Sequence, residues 1–419
     1  MLRRTLVLVL LFSMIMAACA DKSGSADLPT DEGPAEITTD TPEDSDAPDP
    51  DVAQDTGPTA GPLEVGELEI VEPGGDTICS RGTPFRYFAL GGDPEKIILD
   101  FDGGGACWNA ATCSVADAIF SPEAPSAEEI EGWFESGYSP GLYDLDNPKN
   151  PFAGWTLVHI PYCTGDIHWG NNVVDYTDDL TIHHKGYVNF TAVMEWVTER
   201  YTAPSHVLVT GCSAGAYGAI GSSAHIQKLW PEAKLTVLAD SGAGIITDTF
   251  FQDSFPKWNA EAAVPWWLPE FEGKTFEDLD IVSLYTGIVN GLPSMRVAQY
   301  NTAFDADQTF YFDVMGGDPE DWNPALDGVL DAISAAAPAF RHYTAPGPIH
   351  CIHPYDLFYE RDVGGVSYAD WLYELAHGED LPDSVECEGA ACLDDPICNA
   401  CLDGSSTDPG CGWCDGWGE

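Results

Sequence analysis

Positive charge is what this chain most lacks: 16 Lys and Arg stand against 69 Asp and Glu in 419 residues, for a formal net charge of -53. Nothing in such a chain could neutralise a run of phosphates, which excludes nucleic acid as a partner. The same imbalance disfavours electrostatic adsorption to anionic lipid and favours solubility. Long apolar runs are scarce as well, and the one at the start, residues 6–16, is too short to cross a bilayer comfortably. Also missing are a Gly-Lys-Ser/Thr phosphate loop and a dinucleotide-binding glycine pattern. What the chain does have is length enough for one large core or two smaller ones, the size of an enzyme domain.

The start reads as an export signal. Arg3 and Arg4 precede the apolar run, which ends in Met16-Ala17-Ala18-Cys19. Small residues before a cysteine resemble a bacterial lipobox, with Cys19 lipidated and made the new N-terminus; ordinary cleavage nearby is the alternative, and both export the chain. Residues 20–65, rich in Asp, Glu, Pro, Thr, Ser and Ala, hold nothing that could form a core. They read as a disordered acidic tether, so any membrane contact would run through the lipid anchor alone.

Export governs the cysteines. Without Cys19 the thirteen leave twelve: Cys79, Cys107, Cys113, Cys163, Cys212 and Cys351 in the body, and Cys387, Cys392, Cys398, Cys401, Cys411 and Cys414 in the tail. Even numbers in an oxidising compartment predict two separate disulfide frameworks, although Cys212 reads as unpaired and simply packed. Two Cys-x-x-Cys pairs in the tail would also suit zinc, but they lie close together and export favours disulfides. Residues 409–414 of the tail resemble the small Cys-rich plexin-semaphorin-integrin (PSI) module.

Between tether and tail, apolar segments alternate with turns. Residues 85–90, 96–101, 155–162 and 235–242 read as strands, 186–201 as an amphipathic helix, 295–304 and 309–314 as extended, 324–337 as a helix and 340–343 as a final strand. Residues 245–290 read as irregular and aromatic, either an insertion walling the site or plain loop packing. The chain is organised around Val207-Leu208-Val209-Thr210-Gly211-Cys212-Ser213-Ala214-Gly215, an apolar strand breaking into a helix. A serine between glycines at such a turn holds its hydroxyl clear of the sheet, and the next amide, that of Ala214, faces a developing oxyanion. Ser213 is therefore the candidate nucleophile. Gly137-Tyr138-Ser139-Pro140-Gly141 matches the same pattern, but no strand precedes it and Pro140 has no N–H to offer. The strand at 96–101 runs into Asp102-Gly103-Gly104-Gly105-Ala106, whose consecutive glycines suit an anion-binding nest.

His350, after the last predicted strand, is the candidate base, with His353 as its competitor. The acid is open among Asp240, Asp305 and Asp307, each near a strand end. The order Ser213, Asp305, His350 is that of an α/β-hydrolase, with a mostly parallel central sheet flanked by helices. His159, His168, His183 and His184 with Asp166 crowd a short window, but their spacing matches no standard zinc pattern. They read as surface or loop histidines, and no metal or cofactor is expected.

Taken together, the stretches Asp102-Gly103-Gly104-Gly105-Ala106-Cys107-Trp108-Asn109, Tyr162-Cys163-Thr164-Gly165-Asp166 and Gly211-Cys212-Ser213-Ala214-Gly215 resemble the pectin acetylesterase family, which includes the carboxylesterase Notum. The likeness covers roughly residues 80–375. It implies Ser213 as nucleophile, Asp305 as acid, His350 as base, and Gly104, Gly105 and Ala214 as oxyanion donors. It also implies an ester substrate, most plausibly an acetylated extracellular glycan. Asp102 replaces the family's usual Glu and Ala106 its usual aromatic, which leaves the main-chain donors in place but alters substrate contacts. The expected organisation is a signal peptide at 1–19, an acidic linker at 20–65, a hydrolase domain at 66–379 and a Cys-rich tail at 380–419. The rival reading is a surface-displayed binding lipoprotein on a hydrolase scaffold without turnover.

Overall fold

The computed structural model describes residues 61–137 and 139–417, so the apolar start, Cys19 and nearly all of the acidic stretch lie outside the described residues. In chain order the strands are β1 (Leu68–Val71), β2 (Tyr87–Leu90), β3 (Asp93–Phe101), β4 (Trp155–Ile160), β5 (Asn172–Thr177), β6 (Leu180–His184), β7 (His206–Cys212), β8 (Lys234–Asp240), β9 (Arg296–Thr302), β10 (Arg341–Ala345), β11 (Asp362–Val363), β12 (Val366–Ser367) and β13 (Val385–Glu386). The helices are α1 (Ala110–Ser114), α2 (Ala127–Ser136), α3 (Gly186–Arg200), α4 (Ala214–Leu229), α5 (Asp248–Trp258), α6 (Ile281–Gly291), α7 (Ala306–Val314), α8 (Trp322–Ala336), α9 (Tyr368–His377) and α10 (Pro396–Leu402).

Nine strands make one sheet in the order β1-β2-β4-β3-β7-β8-β9-β10-β13. β1, β2 and β4 pair antiparallel, and every pairing from β4 to β13 is parallel. Parallel strands are covered on both faces, so their residues are apolar on both. Side chains alternate accordingly. Ile97, Leu99, Phe101, Val207, Val209 and Val237 enter one core; Ile98, Leu208, Leu238, Ala298 and Tyr300 enter the other. The first is completed by α3, α4, α5, α6 and α8 through residues such as Phe190, Ile220, Phe255, Leu284 and Leu330. The second is completed by α2, α9 and the tail through Ile130, Trp371, Leu372, Ile397, Cys398 and Cys414. Helix α4 lies so close to β3 that a Cβ on Gly215 would stand 1.8 Å from the carbonyl oxygen of Phe101.

Four expectations are corrected here. Residues 245–290 are not irregular: they form α5 and α6 joined by short 3-10 turns, with Asp280 capping α6 by accepting from the Ser283 amide at 2.7 Å. Residues 309–314 belong to helix α7, not to an extended segment, because the Asp305 carboxylate accepts from the amides of Asp307 and Gln308 and starts a helix there. The strand at 340–343 is not the last, since β13 adds to its edge. Cys212 is not free: it bonds Cys351. The other bridges are Cys79–Cys163, Cys107–Cys113, Cys387–Cys392, Cys398–Cys414 and Cys401–Cys411, so body and tail cysteines pair within their own groups.

Candidate active site

Ser213 sits between β7 and α4 at φ 57° and ψ -120°, a backbone region that a serine adopts only where its surroundings force it. Its amide donates to the Asp240 carbonyl at 2.8 Å. Gly211 and Gly215 make the turn possible: a Cβ on Gly211 would meet the Gly215 carbonyl oxygen at 2.5 Å. Ala214 opens α4, so its N–H has no acceptor within the helix and lies at the positive end of the helix dipole.

The glycine loop runs beside this turn. A Cβ on Gly103 would lie 3.2 Å from Cβ of Ser213. Gly104 and Gly105 take φ 143° and 71°, conformations that L side chains rarely adopt. The carboxylate of Asp102 takes the Gly103 amide at 2.9 Å, while the amides of Gly104 and Gly105 donate to no protein group among the described residues. Buried His168 holds the loop from behind. Burial lowers its pKa to about 4, so the ring is neutral, and Nε2 donates to the Asp102 carbonyl at 2.9 Å.

His350 lies in the loop after β10, with Nδ1 2.9 and 3.0 Å from the two oxygens of the buried Asp305 carboxylate. That carboxylate also accepts from the amides of Asp307 and Gln308 at the start of α7 and from Gln308 Nε2 at 3.0 Å. Asp305 is thus fixed in orientation toward the imidazole. Nε2 of His350 stands 3.4 Å from Asp307 Oδ2 and makes no hydrogen bond among the described residues. Burial alone would lower the pKa of His350, but Asp305 and Asp307 outweigh it and raise it to about 9.

Ser213 and His350 line one cavity that opens to solvent. No hydrogen bond joins the Ser213 hydroxyl to Nε2; catalytic contacts of this kind tighten as substrate binds. The disulfide between Cys212 and Cys351 ties the residue before the serine to the residue after the histidine, with their Cα atoms 5.8 Å apart. Much of the cavity's lining is apolar, with Trp108, Ile245, Phe250, Phe255, Trp258 and Trp322. Ile245 and α5 carry four of these, so the aromatic stretch does wall the site.

The remaining candidates are used elsewhere. Asp240 accepts the amides of Ile352 and His353, each at 2.9 Å, and its oxygen lies 3.6 Å from His353 Nδ1. It anchors the loop that carries His350. The His353 ring is buried, with Nε2 2.9 Å from the Tyr368 hydroxyl. His159 pairs with Asp100 at 2.7 Å, His184 donates from Nδ1 to the Thr164 carbonyl and accepts the Tyr176 hydroxyl at Nε2, and Asp166 accepts the amides of His168 and Gly186. His168 lies in a loop as expected, but neither it nor His184, at the end of β6, is at the surface: both are fully packed. Two contributions lay outside the sequence reading: Asp307 as a second carboxylate at the base, and Trp413 of the tail, whose ring centroid lies 5.4 Å from that of His350. The sequence marks Asp307 only as a possible acid after a strand, and the Cys-rich stretch gives no sign of what Trp413 packs against.

Comparison with known proteins follows the same lines. The family model described as pectinacetylesterase matches residues 66–259. Two crystal forms of the Wnt deacylase Notum from Drosophila share the fold: the first at TM-score 0.55 and 16% identity over 76% of this chain and 96% of that one. The second aligns at TM-score 0.54 and 16% identity over 74% and 92%. No curated protein matches the chain at a comparable level. The pectinacetylesterase match thus lies on residues 66–259, within a chain that shares the fold of these Notum structures.

Proposed function

We propose that the protein is an exported serine carboxylesterase acting through Ser213, His350 and Asp305. The observation that carries this reading is the buried Asp305–His350 pair at 2.9 Å opening onto the cavity that also holds Ser213 in its strained turn. His350 takes the hydroxyl proton as Ser213 Oγ attacks the acyl carbon, and Asp305 keeps the imidazole oriented. The amides of Gly104, Gly105 and Ala214 receive the oxyanion. Collapse of the tetrahedral intermediate expels the alcohol, which takes the proton from His350; water then attacks the acyl-enzyme by the same route. Side chains and amides of this chain supply each step. Six disulfides support an oxidising, extracytoplasmic location, where Cys19 would carry the lipid anchor.

The family match supports an acetyl ester on an extracellular polysaccharide. The cavity favours a second reading. Its lining by Trp108, Ile245, Phe250, Phe255 and Trp258 offers a longer apolar wall than an acetyl group needs, and suits a longer acyl chain. Nitrophenyl esters of graded acyl length, tested alongside an acetylated polysaccharide, separate the two. The wild type should turn these over, while Ser213→Ala and Asp305→Asn should each lose about 10⁴-fold in kcat. Equal activity in wild type and Ser213→Ala would reject the reading. So would full activity of Asp305→Asn beside a collapse in Asp240→Asn.

A further inference from the structure

The Cys-rich tail reaches His350 from outside the cavity. Its Trp413 packs edge to face on the imidazole, at a centroid distance of 5.4 Å and an interplanar angle of 66°. Trp413 is half-buried, and its Nε1 donates to the Tyr355 hydroxyl at 3.0 Å. The flanking Cys411 and Cys414 are both bridged back to α10. The tail is in turn fastened to the base loop. The Gly347 amide donates to the Cys392 carbonyl at 3.1 Å, the Asp356 amide donates to Asp408 at 3.0 Å, and the buried Arg361 and Asp395 pair at 2.8 Å. Trp417 lies 5.5 Å from Phe304, one residue before the acid. This indole is therefore fixed, not a mobile surface ring.

Its position has chemical meaning on the esterase reading above, on which this inference rests. The base returns its proton to the departing alcohol, so the alcohol must lie against the imidazole. The acyl group has the cavity, and Trp413 is not part of that cavity's wall. The indole borders the imidazole without lining that cavity. Charge narrows the alcohol further. No Lys or Arg lines the cavity, the Asp307 carboxylate stands 3.4 Å from the base with 29% of its side chain exposed, and the whole chain carries -53. A polyuronate would enter against that field. An uncharged pyranose would not, and its C–H face suits stacking on an indole that keeps its N–H hydrogen-bonded at the edge.

We infer that Trp413 forms the leaving-group subsite and takes the ring of an uncharged O-acylated sugar, so that the tail determines substrate selectivity. The test compares kcat/KM for an acetylated neutral xylo-oligosaccharide with that for ethyl acetate, whose alcohol is too small to stack. In Trp413→Ala the ratio of the two should fall by about tenfold or more, the usual cost of truncating a tryptophan anchor. Trp413→Tyr, which keeps a ring, should recover most of it. An unchanged ratio in Trp413→Ala, whether both rates fall together or neither falls, would overturn the assignment. Wild-type preference for an acetylated oligogalacturonide over the neutral sugar would overturn the charge argument. Ser213→Ala, run in parallel, should abolish both activities; if it does not, the esterase reading itself fails, independently of Trp413.

Discussion

His350 stands between two carboxylates that act on it differently. Asp305 fixes its Nδ1, whereas Asp307 faces Nε2, the atom that accepts the serine proton in the proposed mechanism. Against the lowering effect of burial, the two carboxylates raise the imidazole to about 9. A protonated ring cannot act as base, so kcat/KM should climb with pH along a limb near 9. Asp307→Asn removes one anion and should move that limb to lower pH; a pH–rate profile that stays in place would contradict the role given to Asp307. The stability sign follows from the same shift. The folded value lies above the unfolded value of about 6.5, so the ion pairs contribute fully below that pH and their contribution is lost as pH rises through about 9. At this scale the sequence left Asp240, Asp305 and Asp307 equivalent, because each follows a strand. Only folding shows that Asp240 spends its carboxylate on the amides of Ile352 and His353.

Among the elements, the β7–α4 turn sets the geometry, and glycine makes it possible. Gly215→Ala would drive a methyl group into the Phe101 carbonyl, 1.8 Å from the ideal Cβ position. Helix and nucleophile must then move off the sheet. We expect a loss of about 1–3 kcal/mol in thermal unfolding, the scale of overpacking a close contact, with a fall in esterase activity. Gly132→Ala in α2, where a Cβ would meet nothing within 4 Å, should be neutral or stabilising by a few tenths to about 1 kcal/mol. Equal stability of the two variants would contradict the close-packed turn. The strands and this turn were legible because two-sided burial leaves unbroken apolar runs. Helices α5 and α7 were not, because Thr309-Phe310-Tyr311-Phe312 and Phe250-Phe251 carry strand-favouring side chains. The caps Thr247 and Asp305 overrode that preference.

For the molecule as a whole, the disulfides and the tail bring together parts that the sequence keeps apart. Cys212 and Cys351, 139 residues apart, bind the nucleophile's turn to the base's loop. The tail continues the second core through Ile397, Cys398 and Cys414 and lays Trp413 on the base. Cysteine parity forecast two frameworks, but spacing says nothing of partners, and a short Cys-rich segment carries no sign of what it packs against. The central claim is that Ser213 is the nucleophile of a working site. The most direct measurement is to react the purified full chain with a fluorophosphonate and locate the adduct by peptide mass spectrometry. The account predicts one stoichiometric label, on Ser213, with esterase activity lost in proportion. A label on another serine, or an active enzyme that takes none, would contradict it.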